Sequence, residues 1–393
     1  MDLALLSAGV RVLVVNPGSS SLKLTLLDTT DRVAVEEDLP ASAGGVERAA
    51  LEAFLNRIPV PDACGVRVVH GGADFRFSVR VDESVLERLD AISELAPLHN
   101  PPALLAIRVL QQSRPSLPVI ACFDTAFHAT IPDAAAVYAV PWRWTAEWGI
   151  RRYGFHGLSH AWASRRAAEL LGRPLLGLRI VTCHLGAGAS LCAVRDGISV
   201  DTTMGFTPME GLVMATRSGS LDPGALIWAL RRGGLGPADL ETTLDRESGL
   251  LGVSGVSSDM REVLQAAQNG QERAQLALEV YIHRLRACLA AMAASLTGLD
   301  AVVFTGGVGE RSAPVRSAAC RGLEFLGIQL DEERNQAAAP EDQISAPGSR
   351  VALLVVGSRE DLQIASEVRS VLKSRREPGQ KSQRHPAKQF FLA

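Results

Sequence analysis

Short apolar runs alternate along this chain with segments of helical period. Val12 to Val15, Val66 to Val69, Val119 to Phe123, Ile180 to Cys183, Ala301 to Thr305 and Val351 to Val356 read as buried strands, and Leu24 to Leu27 continues an alternating one. Glu47 to Leu55 and Ala103 to Gln112 carry the helical period. Glu272 to Leu296 is the clearest helix: Leu276, Val280, Leu285, Cys288 and Met292 fall near one face, while Arg273, Arg284 and Arg286 can reach water. This mixture predicts α/β architecture, and 393 residues are too many for one core, so two or three domains are expected.

A weak internal repeat refines that expectation. The run Arg11 to Leu24 and the run Arg179 to Cys192 share an order of apolar strand, small-residue turn and second strand. Two similar lobes would follow, each carrying one hairpin, with the two loops facing a cleft. Two hairpins alike by chance is the other reading. The first turn, Asn16-Pro17-Gly18-Ser19-Ser20-Ser21-Leu22-Lys23, combines backbone freedom, three hydroxyls, an amide oxygen and a mobile cation. Those are the parts of a phosphate cradle and equally those of an ordinary Ser/Gly turn.

Composition narrows the partners. A formal charge of -3 and a pI near 6.3 give no support for a nucleic acid or membrane surface as partner, and a small molecule fits better. The six cysteines show no CxxC and sit mostly in apolar runs, as reduced core thiols do, so neither disulfides nor a zinc site is expected. Met1 to Gly9 lacks a basic stretch and an export-length apolar run, and no later segment is long enough to cross a membrane, so a soluble cytoplasmic protein is expected. Residues 376–393 read as a flexible basic tail.

Neither GxxxxGK[ST] nor GxGxxG occurs, so any nucleotide must be held by another device. The glycines of Thr305 to Glu310 follow a strand and would let backbone approach an anion, though a plain strand-to-helix turn accounts for them as well. Arg67 interrupts an apolar strand, which is costly unless it meets an anion. Asp124 ends another strand, where its carboxylate would enter a cleft. His156 lies among cations, aromatics and glycines, and Arg217 stands in a loop-like stretch. Each also has a bland reading as ion pair, capping group, core histidine or surface cation. As a set they suit phosphoryl transfer, which asks for charge neutralisation and positioning rather than covalent chemistry.

At these residues the chain resembles the acetate and propionate kinase family of the sugar kinase, Hsp70 and actin superfamily. The likeness is carried by Asn16 to Lys23, Arg67 to Gly72, Ala96 to Pro102, Phe123 to His128, Arg152 to Gly157, Met204 to Gly211 and Ser254 to Arg261. It implies two actin-like, ribonuclease H-like lobes around a central cleft, with a duplicated βββαβαβα core. Residues 1–150, completed by a C-terminal helix 361–375, would form the acyl-substrate lobe, and 151–360 the nucleotide-binding and dimerisation lobe, hinging shut around the substrates.

The reaction implied is ATP plus acetate giving acetyl phosphate and ADP with Mg2+, or Mn2+ in its place, in a homodimer. Asp124, His156 and Arg217 would be catalytic. Arg67 would bind the substrate carboxylate beside a methyl pocket of Val69, Leu98, Phe155 and Pro208. Asn16 and Glu360 match the metal positions. Lys23, Ser19, Ser21, the turn His184-Leu185-Gly186-Ala187-Gly188, the segment Asp259-Met260-Arg261 and the turn Gly307-Val308-Gly309-Glu310-Arg311 match the nucleotide positions. Because a carboxylic acid is already ionised at pH 7, Asp124 has no proton to remove from it and would instead orient metal-bound water or the cationic side chains. Ala187 and Arg311 stand where the family has Asn, and Gly357-Ser358-Arg359-Glu360-Asp361-Leu362 replaces Pro-Thr-Asn-Glu-Glu-Leu. Ala187 and Arg311 leave a nucleotide-binding relative of low activity as one alternative, and a propionate or other short-acyl kinase is another, because a methyl pocket discriminates one methylene by only about 1–3 kcal/mol.

Overall fold

The computed structural model describes residues 9–18, 21–42, 45–46, 48–97 and 99–374. Ser19, Leu98 and the tail 376–393 lie outside the described residues.

Strands β1 (Val12–Pro17), β2 (Ser21–Leu27), β3 (Val33–Ser42), β4 (Gly45–Val46), β5 (Ala63–Val68), β6 (Val79–Arg80) and β7 (Val119–Phe123) form one sheet in the order β4-β3-β2-β1-β5-β7-β6. A second sheet contains β8 (Arg179–Leu185), β9 (Ala189–Arg195), β10 (Ile198–Thr202), β11 (Ala301–Thr305) and β12 (Ala352–Val355), in the order β10-β9-β8-β11-β12. The two follow one plan. The first strand pairs antiparallel with the second and parallel with a strand reached by a long crossover, and that strand pairs parallel with the next. The sequence repeat is therefore a repeat of topology, because Val12–Pro17 and Arg179–Leu185 are the corresponding first strands of the two sheets.

Local chemistry explains the connections. Asp196 and Gly197 join β9 to β10 with φ of 55° and 79°, the positive pair that a two-residue hairpin turn requires. The fully buried β7 and β11 are continuous apolar runs, as parallel strands covered on both faces must be. The helix Glu360–Ser374 returns to cover β1, β5 and β7 through Ile364, Ala365 and Val368. Gly65 permits that approach, since a Cβ there would lie 2.4 Å from Ile364 Cγ2. The helix Gly157–Leu170 packs on β8 and β11 and also on Glu360–Ser374, so these two helices fill the space between the sheets. Among the described residues no helix is long and apolar enough to cross a membrane.

The helix Glu272–Leu296 has the expected bounds, and of the expected face Leu285 and Met292 are buried. Leu276 and Val280 are 50% and 38% exposed. The buried stripe runs through Ala274, Ala277, Tyr281, Leu285, Leu289, Met292 and Leu296. Two alanines let the helix lie close to its neighbours Gly249–Ser254 and Met260–Gln268, and a reading weighted toward large side chains overlooks such small contact positions. All six cysteines are free thiols, five of them buried.

Candidate active site

The strand ends of the first sheet and the start of the helix Glu360–Ser374 bring four polar side chains together. Arg67, on β5, donates from Nε and Nη2 to the Asp124 carboxylate at 3.0 and 2.5 Å, and from Nη1 to Asn16 Oδ1 at 3.1 Å. Asn16 Nδ2 donates to Glu360 Oε2 at 3.0 Å. The pairing explains how a cation interrupts an apolar strand: side-chain exposure is 15% for Arg67 and 1% for Asp124, a fork-to-carboxylate geometry that offsets burial. Burial pushes the Asp124 carboxyl up, to about 6, against the downward pull of Arg67. Asp124 and Glu360 hold the Arg67 guanidinium in its charged form despite that burial.

His156 stands opposite, in the left-handed region at φ 56°. That conformation is rare for a residue with a Cβ, and its neighbours over-determine it. Gly157 N–H donates to the Asp124 carbonyl at 3.0 Å, and His160 N–H donates to the His156 carbonyl at 2.9 Å. Gly157 has no room for a side chain, since a Cβ would lie 2.1 Å from the Asp124 carbonyl oxygen. The start of this helix is thereby tied to the strand end that carries Asp124. His156 stacks on His184 with ring centroids 4.3 Å apart. Burial, then His184, His160, Arg67 and Arg217, push its pKa well below the usual histidine value.

Arg217 is half-buried, donates from Nε to Asp245 Oδ1 at 3.0 Å, and lies with Nη1 3.4 Å from the Pro208 carbonyl. It is a braced cation rather than a free surface one. A Cβ on Gly188 would lie 3.2 Å from His156 Nε2 and 3.5 Å from Arg217 Nη1, so the β8–β9 turn runs directly beside both. Val69 and Phe155 are buried in one core cluster nearby, and Pro208 is half-buried.

The same turn forms one edge of a cavity of about 670 Å³. Gly186 and Ala187 meet Asp259, Met260, Arg261, Gly307, Val308 and Arg311 there, so three segments distant in sequence share one lining. Leu185, Gly188, Gly309 and Glu310 support the turns from outside that lining. Glu310 Oε1 accepts from Gly306 N–H and Ser358 N–H at 3.1 and 2.9 Å. Asp259 caps the helix Met260–Gln268 and binds Arg261, which holds its carboxyl low, at about 2. Ser21 opens β2, with its carbonyl accepting from Gly18 N–H at 2.8 Å. Lys23 is paired with Glu36 on β3 at 2.5 Å.

Several residues at this site carry no sequence motif. Asp245 braces Arg217 from 28 positions away. Tyr281 and Ser312 line the cavity with buried hydroxyls that have no partner among the described residues. Arg316, 1% exposed, donates to the Gly309, Glu310 and Asn335 carbonyls and to Asn335 Oδ1, and so holds the turn that carries Gly307 and Arg311. Tyr281 and Arg316 signal themselves only as polar groups within apolar runs, and Asp245 and Ser312 not at all, since their sequence neighbours are largely polar.

Comparison with known proteins gives concordant matches. The model of the acetokinase family matches residues 52–366. An acetate kinase of Nostoc punctiforme is 51% identical over 320 residues, which is 81% of this chain and 79% of that one. Among solved structures, acetate kinase of Porphyromonas gingivalis superposes with a TM-score of 0.86 at 37% identity, covering 93% of this chain and all of that one. A propionate kinase of Francisella tularensis superposes with a TM-score of 0.86 at 36% identity, covering 92% and 100%.

Proposed function

This chain belongs to the acetokinase family, and from that premise we propose that it transfers the terminal phosphoryl group of ATP to the carboxylate of acetate, reversibly, giving acetyl phosphate and ADP. The supporting observation is convergence: Arg67, Asp124, His156 and Arg217 meet beside the turn that also edges the cavity. The reaction needs its acceptor oxygen positioned and the charge of the moving phosphoryl group neutralised.

Arg67 is the acetate-binding residue. Its guanidinium has five N–H protons. Asp124 and Asn16 together engage Nε, Nη2 and Nη1, and one proton remains on each terminal nitrogen for a substrate carboxylate. Asp124 orients that fork, since acetate brings no proton to abstract. Val69, Phe155 and Pro208 enclose the methyl group, with Leu98 assigned by resemblance alone. His156 and Arg217 face the phosphoryl group. The cavity takes the nucleotide, with Gly186 to Gly188 at its phosphates, Asp259 to Arg261 and Gly307 to Arg311 around the nucleoside, and Lys23 moving from Glu36 to a phosphate.

Among the described residues no cluster of three His, Cys, Asp or Glu side chains could hold a metal by itself. Asn16 Oδ1, which accepts from Arg67, and the Glu360 carboxylate, which accepts from Asn16 Nδ2, would be the protein oxygens for magnesium held largely by phosphate oxygens and water, or for manganese in its place. Such an ion neutralises phosphate charge when bound.

We place the lobe division at residues 1–150 and 151–360, supported by the matching sheets and by the return of the final helix to the first. A homodimer through the second lobe is supported by the helices Pro223–Arg232 and Pro237–Arg246, neither of which buries a residue. Free thiols throughout support a cytoplasmic site of action.

Trapping the acyl phosphate as its hydroxamate, with acetate, propionate and butyrate in turn, tests the reading. Acetate should give the highest kcat/KM. Faster propionate turnover would shift the assignment to a propionate kinase, and no product from any acid while ATP still binds would leave a nucleotide-binding relative.

A further inference from the structure

Behind His156 lies a file of buried side chains that the reaction outlined above leaves without a task. His156 Nδ1 is 2.9 Å from Ser190 Oγ, which is 2.8 Å from His160 Nε2. His160 Nδ1 is 2.7 Å from Thr182 Oγ1. Ser190, His160 and Thr182 are fully buried. A hydroxyl has one proton to donate, and a neutral imidazole has one N–H and one bare nitrogen. Three contacts in series therefore admit two proton orders, each the reverse of the other.

In one order the donors point away from the cleft. His156 Nδ1–H donates to Ser190, Ser190 to His160, His160 Nδ1–H to Thr182, and the Thr182 hydroxyl to the Cys192 carbonyl at 3.5 Å. His156 then turns a bare Nε2 toward Gly188 and Arg217. In the other order Thr182 donates to His160, His160 Nε2–H to Ser190, and Ser190 to His156 Nδ1, so His156 presents Nε2–H to the same place. The second order gives up only the 3.5 Å contact, which is at the long limit for a hydrogen bond. With an anion beside Nε2, a bare nitrogen repels and an N–H attracts. A doubly protonated ring would meet the stacked His184, His160, Arg67 and Arg217, all facing it, and burial also works against its charge.

Resting on the phosphoryl-transfer reading, we propose that Thr182, His160 and Ser190 form a relay that holds neutral His156 in the tautomer directing Nε2–H at the phosphoryl group. The three are positioning residues that act through His156. The relay supplies a donor to a charged group without adding a cation to a pocket that already holds two arginines.

Long-range ¹H–¹⁵N correlation of the ¹⁵N-histidine-labelled full chain, with Mg2+, ADP, acetate and aluminium fluoride as a mimic of the phosphoryl group at pH 7.5 and His156 assigned by loss of its signals in His156→Gln, reads the tautomer directly. A neutral ring protonated on Nε2 is expected. A ring protonated on both nitrogens, or on Nδ1 alone, overturns the proposal. Thr182→Val keeps the shape and removes the hydroxyl. It should bring in a second His156 tautomer and lower kcat about ten-fold, with both KM values within about two-fold of the parent, whereas Thr182→Ser should behave as the parent. An unchanged tautomer and kcat in Thr182→Val would count against the relay. The spectra need no turnover, so failure of the parent to make an acyl phosphate would sink the kinase reading while leaving the relay measurable.

Discussion

At the scale of single residues, the site depends on groups whose charge is set by a partner. Arg67 is held by Asp124 on one edge, so a replacement that keeps the charge and loses the fork is informative. Arg67→Lys should raise the acetate KM by about ten-fold or more, since hydrogen bonds to charged groups are worth about 1.5–3 kcal/mol, while the ATP KM stays near that of the parent. An unchanged acetate KM in initial-rate assays would remove Arg67 from the acetate site. Ala187 is exposed on the cavity edge and its carbonyl accepts from Ala215 N–H, so the backbone of the turn is already organised. Ala187→Asn should therefore add a donor without disturbing the turn and raise kcat/KM for ATP, by no more than the about 1–3 kcal/mol of one such bond.

At the scale of elements, the turn Gly307 to Arg311 on the cavity is held from behind. Arg316 donates only to neutral acceptors, three of them main-chain carbonyls. Arg316→Met fills similar space with no donor and should cost about 2–4 kcal/mol in chemical denaturation, because buried carbonyls lose their partner. It should raise the ATP KM while leaving the acetate KM near the parent value, the split that marks a brace for one turn. Equal effects on both substrates would mean general loosening of the lobe. The helix Gly157–Leu170 is a second such joint, since its first residue bonds to the Asp124 carbonyl and its next turn carries His160.

At the scale of the whole molecule, buried histidines set the acid limit. Burial lowers the pKa of His70, His99 and His128 to about 4, of His184 below its usual value, and of His156 and His160 well below it. A histidine whose folded pKa is depressed contributes stability that is present above the unfolded pKa near 6.5 and is lost as pH falls toward the folded value. The Tm should thus fall steeply between pH 6.5 and 5, with Asp124 and Glu367, whose carboxyls are raised by burial, offsetting part of the loss. A Tm that is flat over that interval would mean that the histidines are not buried neutral. The proposed dimer belongs to this scale too: Leu221, Ile227, Trp228 and Leu230 lie exposed on and beside the helix Pro223–Arg232. Trp228→Glu should convert a dimer to monomer in light scattering, and a monomeric parent would refute the dimer.

The sequence by itself determined the apolar strand runs and the three helical segments read from it, and the motif residues that end strands or open helices, because periodicity and turn chemistry act over a few neighbours. Val119–Phe123, Ala301–Thr305 and Glu272–Leu296 lie where the pattern places them. Only the tertiary structure decided which face of Glu272–Leu296 is buried, that Asp245 braces Arg217, that Arg316 holds the cavity turn, and that Thr182, His160 and Ser190 stand in file behind His156. Those relations join residues up to tens of positions apart, and the packing of the helices on the two sheets sets their distances. A polar residue in an apolar run announces that it needs a partner, but only the fold brings one within hydrogen-bond reach.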